Sequence, residues 1–533
     1  MTLRHIPAAF CAALLSTSAL AATVTVSIDA TANRHPIDPR IYGVNFASTA
    51  DLETLGAPLN RQGGNATSAY NWQQNATNLG MDYYYESYPG KSAKAGADGD
   101  SFVADAKAGG AEPMLTVPLM GWVAKLDSGR KILPGFSVEK YGRQCDTDFW
   151  FPDAGNGYKQ DCSTPITGND PNDAYVADTP ADEQKWIKHL VKRWGKSNAG
   201  GVQYYLMDNE PSIWFDTHRD VHPIGPHSDE YRDKVIAASA KIKAVDPGAK
   251  IVAPEEWGWE GYFYSGYDQQ YAADHGYCCW PDHDGPQKGV DYIPWLLSEW
   301  KKAGRPVDVV SVHFYPQGSE YGNDHSPKTQ LLRNRSTRQL WDPTYKSESW
   351  IADKVNLIPR LKGWVQDYYY ADTPVAITEY SWGADNHING ATAQADVLGI
   401  FGREGLDAAT RWTTPKASTP TFKAMQMYRN ADGHGHGFGD TSVKASVKNP
   451  DNVAAFAALR QDGTMTVMVI NKQLNQASDL HLKLAHFAKS GTAKAWRLTA
   501  SNTIQALPDI AWSGGVLADT APAQSITLYA LAD

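Results

Sequence analysis

The stretch Val202-Gln203-Tyr204-Tyr205-Leu206-Met207-Asp208-Asn209-Glu210-Pro211 decides the fold, because it is a β-prone run that ends on a carboxylate. A second run, Val375-Ala376-Ile377-Thr378, ends in the same way on Glu379. Pro211 suits the position after a strand terminus, where no backbone N–H is needed for the ladder. Two strands that each end on a glutamate predict that both carboxylates lie at the same edge of one sheet.

Short β-branched or apolar runs alternate with longer amphipathic runs from residue 41 onward, and this order predicts a parallel sheet covered by helices. Strands are predicted at residues 42–46, 59–63, 114–119, 202–207, 251–254, 307–314, 375–378 and 408–412. Helices are predicted at residues 186–194, 229–245, 293–303, 350–367 and 391–405. Eight such units predict an α/β fold, a (β/α)₈ TIM barrel over residues 41–432 with its active site at the carboxyl ends of the strands.

The pattern changes after the barrel. Gly433-His434-Gly435-His436-Gly437 is typical of a flexible connector, and the runs beyond it alternate without helices between them. This predicts a C-terminal antiparallel β-sandwich domain over residues 433–533. Residues 24–29 alternate in the same way before the barrel begins, so residues 23–40 are expected to add an N-terminal strand to that sandwich.

The first 22 residues have the pattern of a secretory signal peptide. Arg4 and His5 precede a short apolar stretch, and Ala19-Leu20-Ala21 is a cleavage signal of small residues. The apolar stretch is shorter than the about 20 residues of a membrane span, and no later segment is apolar enough to cross a bilayer. We therefore expect a secreted protein that does not remain in the membrane after cleavage.

Four cysteines remain once the leader is removed, and an oxidising compartment allows three pairings among them. Cys145 with Cys162 is the favoured bridge, since it closes a loop rich in Gly and Asp. The adjacent Cys278 and Cys279 either form a strained disulfide or stay reduced. No Cys/His spacing matches a zinc site.

The charge and the aromatic content bear on the partner. A formal net charge of -10, spread along the chain, argues against nucleic acid, which requires clustered Lys and Arg. The 18 Trp and 27 Tyr fit a neutral polysaccharide, although large rings are also ordinary core residues. We expect a polysaccharide partner, a monomer and no organic cofactor.

The paired glutamates predict the chemistry. Cleavage of a glycosidic bond needs one carboxyl group to protonate the leaving oxygen and one to attack or stabilise the anomeric carbon. Asn209 can hold the sugar 2-hydroxyl beside Glu210. In the alternative interpretation one of these glutamates is only a buried ion-pair partner of Arg61, and Glu256 would then replace it in the catalytic pair.

Several motifs together resemble glycoside hydrolase family 44 over essentially the whole mature chain. They are Arg61-Gln62-Gly63-Gly64-Asn65, Tyr70-Asn71-Trp72, Gly168-Asn169-Asp170-Pro171-Asn172-Asp173, Asp208-Asn209-Glu210-Pro211-Ser212-Ile213-Trp214, Thr217-His218-Arg219-Asp220-Val221-His222-Pro223, Ser311-Val312-His313-Phe314-Tyr315-Pro316 and Ile377-Thr378-Glu379-Tyr380. The resemblance implies a retaining endo-β-1,4-glucanase that hydrolyses cellulose-type glucans and xyloglucan by double displacement. Glu379 would be the nucleophile and Glu210 the acid/base.

Further residues are expected to surround this pair. Arg61 and Tyr315 would hydrogen-bond the nucleophile carboxylate, and His313 would contact sugar hydroxyls. Trp122, Trp382 and Trp412 lie near predicted strand ends and are expected to be stacking platforms for sugar rings. Each of these six can instead be a packing residue, and His218 and His222 are expected to structure a loop.

The resemblance also implies a structural calcium ion, with Glu86, Asp170 and Asp173 as expected ligands. Calcium takes about 6–8 oxygen ligands, and the loop that carries Asp170 and Asp173 is rich in acidic and amide side chains that offer such ligands. The alternative is a surface loop rich in Asx turns. Two other functions stay open, a retaining barrel glycosidase acting on xylan or mannan and a glucan-binding protein without activity; the two intact carboxylates weigh against the second.

Overall fold

The computed structural model describes residues 22–532, so the predicted signal peptide lies outside the described residues apart from its last position. Eight parallel strands close into a barrel in chain order, and the eighth pairs with the first through Thr410 opposite Gly43. The strands are Gly43–Asn45, Leu59–Gln62, Glu112–Val117, Tyr204–Met207, Lys250–Glu256, Val309–Phe314, Val375–Tyr380 and Ala408–Arg411. The predicted α/β barrel is confirmed.

The barrel strands are buried on both faces, as parallel strands covered by helices must be. All residues of Val309–Phe314 and of Val375–Tyr380 are buried. One set of side chains fills the inside of the barrel, and it consists of Leu59, Met114, Tyr204, Leu206, Val252, Val309 and Ala376. The alternate side chains, such as Tyr205 and Ile251, belong to the larger core under the helices. Packing thus leaves the carboxyl ends of the strands as the place for polar residues.

One helix follows each barrel strand. These helices are Thr49–Leu55, Ala97–Ala108, Pro180–Trp194, Ser228–Val245, Tyr292–Lys302, Leu357–Tyr368, Ile388–Glu404 and Pro420–Arg429. The loops carry six more, Val138–Tyr141, Trp214–Thr217, Trp259–Phe263, Gly266–Asp274, Pro281–Asp284 and Pro327–Ser336. In residues 22–532 no helix has both the length and the hydropathy needed to cross a bilayer.

The predicted helix at residues 350–367 is wrong at its start. The helix begins at Leu357, because Asn356 lies at φ 44°, in the left-handed region that interrupts a right-handed helix. The preceding residues form turns instead, held by bonds such as Ala352 N–H to the Ser349 carbonyl at 3.1 Å. The apolar spacing that suggested an earlier start belongs to these packed turns.

A second domain of β-strands follows the barrel. Its main strands are Ala22–Asp29, Thr441–Ser446, Val453–Leu459, Met465–Asn471, Ser478–Ala485, Gly491–Leu498, Val516–Ala521 and Ser525–Leu531, with short strands at His35–Pro36, Gln505–Ala506 and Ile510–Trp512. Ala22–Asp29 comes before the barrel in the chain and pairs with Ser478–Ala485 along its whole length. That pairing is parallel, so the domain is not purely antiparallel as the sequence predicted.

The second domain packs one face against the barrel. In Val453–Leu459, Ala455 and Ala457 face the core of the second domain, while Ala454, Phe456 and Ala458 join the barrel core. A buried ion pair crosses the same boundary, from Lys472 Nζ to Asp396 Oδ2 at 2.8 Å. The second domain therefore covers a side of the barrel and shares its core.

A long insertion follows the third barrel strand. It contains the strands Trp122–Ala124, Leu133–Pro134 and Tyr175–Ala177 and the disulfide between Cys145 and Cys162. The favoured pairing is confirmed. Cys278 and Cys279 are free thiols, exposed in a loop beyond the fifth strand.

Candidate active site

Both predicted catalytic glutamates lie at the carboxyl ends of barrel strands. Glu379 is the last residue but one of the seventh strand, and Glu210 follows the fourth. Glu210 has φ 49° and Asp208 has φ 69°, conformations that cost non-glycine residues about 1–3 kcal/mol each. The backbone N–H of Glu210 donates to the Glu255 carbonyl at 3.0 Å. The fifth strand thus helps to hold the strained turn that presents Glu210.

The two carboxylates face each other at short range. One oxygen of Glu210, one oxygen of Glu379 and one nitrogen of His313 all lie within 4.8 Å of one another. Retaining glycosidases separate their carboxyl groups by about 5–5.5 Å, whereas inverting enzymes separate them by about 6.5–9.5 Å to admit a water molecule. The approach of the two oxygens is shorter than the separation that inverting enzymes need.

Glu379 is held by two donors. Arg61 Nη1 donates to Oε1 at 2.7 Å, and the Tyr315 hydroxyl donates to Oε2 at 2.9 Å. Both bonds fix the orientation of the Glu379 carboxyl group. Burial, and then the charge of Glu379, raises the pKa of Tyr315, so its hydroxyl keeps the proton that it donates.

Arg61 is fully buried and serves a second carboxylate, since its Nη2 donates to Glu255 Oε2 at 2.9 Å. Burial alone would lower the pKa of Arg61, but the charges of Glu255 and Glu379 raise it. Burial likewise opposes the ionised form of Glu255, yet the Arg61 charge lowers the pKa of Glu255. The expected bond from Arg61 to the carboxylate of Glu379 is present, and the structure shows in addition that Arg61 pairs with Glu255.

Glu210 has a different environment. Its side chain keeps 16% of its surface exposed. Burial of the rest, together with the charge of Glu379, raises the pKa of Glu210, and a hydrogen bond with His313 opposes this shift. The raised pKa of Glu210 favours its protonated form, which is the form that glycoside cleavage requires of one of its two carboxyl groups.

His313 contacts two carboxyl groups of the site, those of Glu210 and Glu255. Its Nδ1 lies 2.8 Å from Glu210 Oε1, and its Nε2 lies 3.3 Å from Glu255 Oε2. Burial opposes the imidazolium, but the charge of Glu379 and the bonds to Glu210 and Glu255 raise the pKa of His313 to about 9. A protonated His313 then donates from both nitrogens. The side chain is fully buried, so the predicted direct contact between His313 and sugar hydroxyls is wrong, because the ring's nitrogens are occupied by carboxylates.

Asn209 lies between the second and fourth strands. Its Oδ1 accepts from Arg61 Nη2 at 3.0 Å and from the Gly64 N–H at 2.9 Å, while its buried Nδ2 has no hydrogen-bond partner in the protein. The side chain thus carries one amide N–H that no described residue satisfies. Glycine is required at two neighbouring positions, since a Cβ on Gly63 would lie 2.0 Å from Arg61 Nη1 and Gly64 has φ 82°.

Glu256, the substitute that the sequence offered, lies away from the open site. It is fully buried and accepts from Ser212 Oγ at 2.5 Å. Burial raises the pKa of Glu256 to about 8, so it stays protonated at neutral pH. A carboxyl group without exposure cannot contact a substrate directly, so the structure does not favour Glu256 as the substitute.

The three predicted tryptophan platforms have different positions. Trp382 is wrong as a platform, because it is buried against Phe314 and its Nε1 donates to Ser336 Oγ at 3.0 Å. Trp122 is half-buried in the strand Trp122–Ala124 and packs against the barrel core. Trp412 lies beside Gly64, where a Cβ would come within 2.6 Å of its ring. Of the three, Trp412 is the one that the described contacts connect to the catalytic residues.

Sequence reasoning missed one aromatic residue of this site. Phe46 follows the first strand, has 47% of its surface exposed and meets the Trp412 ring edge-on at 5.8 Å between centroids. Its position at the end of a predicted barrel strand was the available signal. An exposed phenyl ring beside Trp412 extends the apolar surface available to a sugar chain.

The expected calcium ligands do not come together. In residues 22–532 the one cluster of three or more metal-binding side chains is Glu210 with His313 and Glu379. Asp173 is paired with Lys140 Nζ at 2.6 Å, and Asp170 accepts two bonds from Asn172. Glu86 is buried, with no hydrogen-bond partner for either oxygen, and burial raises its pKa to about 7. These three residues do not fit one cation site.

The chain is similar to characterised glycosidases. The sequence profile described as glycoside hydrolase family 44 matches residues 76–318. Endoglucanase A of Paenibacillus lautus is 30% identical over 515 residues, which are 90% of this chain and 68% of that protein. Beta-mannanase/endoglucanase A of Caldicellulosiruptor saccharolyticus is 29% identical over 514 residues, 89% of this chain. This chain spans 36% of the length of that second protein.

Two solved structures are similar to this chain over 96% of its length. CelM2, a bifunctional glucanase-xylanase protein from a metagenome library, is 55% identical with a TM-score of 0.94, covering 96% of this chain and 99% of its own. A Paenibacillus polymyxa xyloglucanase solved with xyloglucan is 27% identical with a TM-score of 0.78, covering 96% of this chain and 100% of its own. Both the barrel and the second domain are therefore shared with these enzymes.

Proposed function

The chain belongs to glycoside hydrolase family 44, and from this premise we propose that it is a retaining endo-β-1,4-glucanase acting on cellulose-type glucans and xyloglucan. The observation that carries the proposal is the approach of the Glu210 and Glu379 oxygens to within 4.8 Å. That spacing supports double displacement, since it leaves no room for a water molecule between acid and base.

In the first step Glu379 attacks the anomeric carbon while Glu210 gives its proton to the leaving oxygen. The bond from the anomeric carbon to that oxygen breaks, and an ester bond to Glu379 forms. Arg61 and Tyr315 orient the attacking carboxylate. Asn209, with its unpaired Nδ2, donates to the sugar 2-hydroxyl, a hydrogen bond that strengthens in the transition state.

In the second step water takes the place of the departed chain. The ester has removed the negative charge of Glu379, which is one of the two causes that raise the pKa of Glu210. Glu210 therefore ionises more readily and takes a proton from the attacking water. The sugar leaves with its original anomeric configuration, and both carboxyl groups return to their starting states.

The test of the nucleophile uses a variant that cannot form the ester. Glu379→Ala should lose all measurable turnover, and added azide should enter the vacated space to give an α-glycosyl azide from an activated aryl β-cellobioside. A β-glycosyl azide would exclude Glu379 as the nucleophile. The matched variant is Glu210→Ala, which should lose about 10²–10⁴-fold on polymers and far less on substrates with good leaving groups. Equal loss across leaving groups would contradict the acid role.

A second candidate substrate is xylan, favoured by the bifunctional glucanase-xylanase to which the chain is 55% identical. A mannan activity is suggested by the name of one curated relative. Reducing-sugar release from carboxymethyl cellulose, xyloglucan, xylan and mannan separates these substrates. We expect the two glucans to be cleaved fastest, and cleavage of xylan or mannan alone would replace the proposed substrate.

We propose further that the protein acts outside the cell as a monomer, on the support of the leader pattern in residues 1–22 and of a neutral polymeric substrate. Expression with the leader intact should yield a culture-medium protein whose amino terminus lies near residue 22. A full-length chain retained in the cell would contradict this. In size-exclusion chromatography the cleaved protein should elute as one copy, at a mass slightly below the 58.4 kDa of the full chain.

A further inference from the structure

Two neighbouring aromatic side chains stand almost free of the protein surface. Phe149 and Trp150 each expose 82% of their surface, and their rings meet edge-on at 5.0 Å between centroids. Burial of apolar area stabilises a fold by about 25 cal/mol per Å², and these rings bury little. The fold therefore gains almost nothing from two of its largest apolar side chains.

The loop that carries this pair is held in a fixed shape. The disulfide between Cys145 and Cys162 closes it at the base. At the tip, Asp148 accepts from the Trp150 N–H at 3.2 Å and from the Phe151 N–H at 2.9 Å, and its own N–H donates to the Ala154 carbonyl at 2.9 Å. Two exposed rings on a constrained backbone are pre-organised for binding, which lowers the entropy lost when a ligand is bound.

The same loop forms one wall of a hollow beside the active site. The Tyr83 hydroxyl donates to Asp148 at 2.7 Å, and the Tyr84 hydroxyl donates to Asp146 at 2.9 Å. The hollow has a volume of about 430 Å³ and is lined chiefly by Met81, Asp82, Tyr83, Tyr84, Asp146 and Tyr158. Asp148 therefore joins the wall of the hollow directly to the aromatic pair.

The hollow connects at its other end to the catalytic residues. Asp82 accepts from Asn65 Nδ2 at 3.1 Å, and Asn65 follows Gly64, whose N–H donates to Asn209 beside Glu210. Desolvation and then the negative charge of Glu379 raise the pKa of Asp82, which places Asp82 within electrostatic reach of the nucleophile. Hydrogen bonds and chain neighbours thus link Asn209, through Asn65, Asp82 and Tyr83, to Asp148 beneath the exposed rings.

We propose that Phe149 and Trp150 form a distal sugar-binding platform for the same neutral glucan chain that is cleaved at Glu210 and Glu379. The proposal rests on the proposed function and adds a binding site to it. Aromatic rings stack on the apolar C–H faces of pyranose rings, and the path between platform and active site carries hydroxyl and carboxylate groups that suit sugar hydroxyls. Asp82, Asp146 and Asp216 in the hollow disfavour an anionic chain.

The test is the double variant Phe149→Ala/Trp150→Ala, assayed on neutral xyloglucan and on a short aryl β-cellotrioside. We expect kcat/KM on the polymer to fall about 3- to 10-fold, chiefly through KM, because a stacking contact changes affinity by roughly that factor. The short substrate spans only the catalytic centre, so its kcat/KM should be unchanged. Trp150→Tyr keeps an aromatic ring and should restore most of the polymer activity.

The matched control is Tyr368→Ala. Tyr368 is also exposed, but it ends the helix Leu357–Tyr368 that leads to the amino-terminal end of the seventh strand, on the opposite face of the barrel. It should leave both substrates unaffected. Unchanged polymer kinetics in the double variant would overturn the proposal, and so would equal losses on both substrates. If wild type is a dimer and the double variant is a monomer, the two rings bind a second copy of the chain instead of the glucan.

Failure of the platform and failure of the proposed function are distinguishable by binding. In gels that contain soluble xyloglucan, the inactive Glu379→Ala protein should be retarded, and the added double substitution should reduce that retardation. Wild type could cleave no glucan and still be retarded more strongly than the double variant. In that case the proposed function fails and the proposed platform stands. If the proteins with and without the two rings are retarded equally, the proposed platform is contradicted, whatever the activity of wild type.

Discussion

The guanidinium of Arg61 bonds to two carboxylates in the catalytic centre, Glu255 and Glu379, and the charge balance around them affects the third carboxyl group, Glu210. Arg61 and a protonated His313 supply two positive charges against the two negative charges of Glu255 and Glu379. Ionisation of Glu210 would add a negative charge with no cation left to balance it. The proton of the acid/base is therefore retained by the charge of the whole cluster as well as by burial.

The pH dependence tests this balance through His313. The hydrogen bond and charge of His313 lower the pKa of Glu210 against the raising effect of burial, so His313→Gln should raise the pKa of Glu210 further. Activity requires a protonated Glu210 and falls as pH rises through its pKa. We therefore expect the alkaline limb of kcat/KM to move to higher pH, with a loss in kcat of up to about 100-fold from misplacement of Glu210.

The control is His218→Gln. Burial lowers the pKa of His218 to about 4, so this histidine is neutral, and its Nε2 contacts the Asn65 carbonyl at 3.0 Å instead of a carboxylate. Its removal should leave the alkaline limb in place. An alkaline limb of His313→Gln that stays fixed or moves to lower pH would contradict the assigned charge effect.

Single residues also show the limit of sequence reasoning at this scale. Glu210 and Glu379 were identified because a carboxylate after a predicted barrel strand has a predictable location. Trp382 satisfied the same criterion and is buried against Phe314. Proximity to a strand end predicts which edge of the barrel a residue occupies. The direction of its side chain depends on backbone angles and on neighbouring side chains, which cannot be predicted from the sequence.

At the scale of elements, the turn after the fourth strand and the disulfide-closed loop contribute most to the site. The strand itself follows from the β-prone residues 202–207. Aspartate adopts left-handed angles more often than most residues do, but the left-handed angle of Glu210 does not follow from a local preference. They persist because the fifth strand holds the turn through the Glu255 carbonyl. Tertiary contacts here override what the residues prefer.

The disulfide should stabilise the loop that carries the aromatic pair. It joins residues 17 apart, and closing a loop of that size contributes about 3 kcal/mol through the unfolded state. Cys145→Ser/Cys162→Ser should lower the melting temperature, speed hydrogen exchange across residues 145–162, and weaken kcat/KM on polymer more than on the short substrate.

The matched control for this loop is Cys278→Ser/Cys279→Ser, since both of these thiols are free and exposed. It should change neither the melting temperature nor the exchange of residues 145–162. Protection of those residues that is identical in the disulfide variant and wild type would mean that the loop is held without its covalent link.

At the scale of the whole molecule, the two domains are joined by the N-terminal strand and by shared core residues. Ala22–Asp29 pairs with Ser478–Ala485, more than 400 residues later in the chain. Phe456 packs into the barrel core from the second domain. The two domains are therefore expected to unfold in one cooperative transition, because each buries part of its apolar surface against the other.

The buried ion pair at this boundary offers a direct test. Lys472→Met leaves Asp396 as an unpaired charge in a buried site, which should reduce the free energy of unfolding by about 3–5 kcal/mol. Lys302→Met is the control, because Lys302 is exposed and its removal should cost within about 0.5 kcal/mol. Two separate calorimetric transitions in wild type would contradict a shared core.

The amino-acid sequence was sufficient to predict the barrel and the strand ends that carry Glu210 and Glu379, and it favoured Cys145 with Cys162 among three possible pairings. Periodicity and chemistry along the chain are sufficient for these features, since they depend on neighbours in sequence. Only the tertiary structure decided that His313 bonds to Glu210 and Glu255, that Trp382 is buried, and that Ala22–Asp29 pairs in parallel. These three features depend on contacts between residues that are far apart in the chain, because burial and electrostatic interactions are set by distance in space.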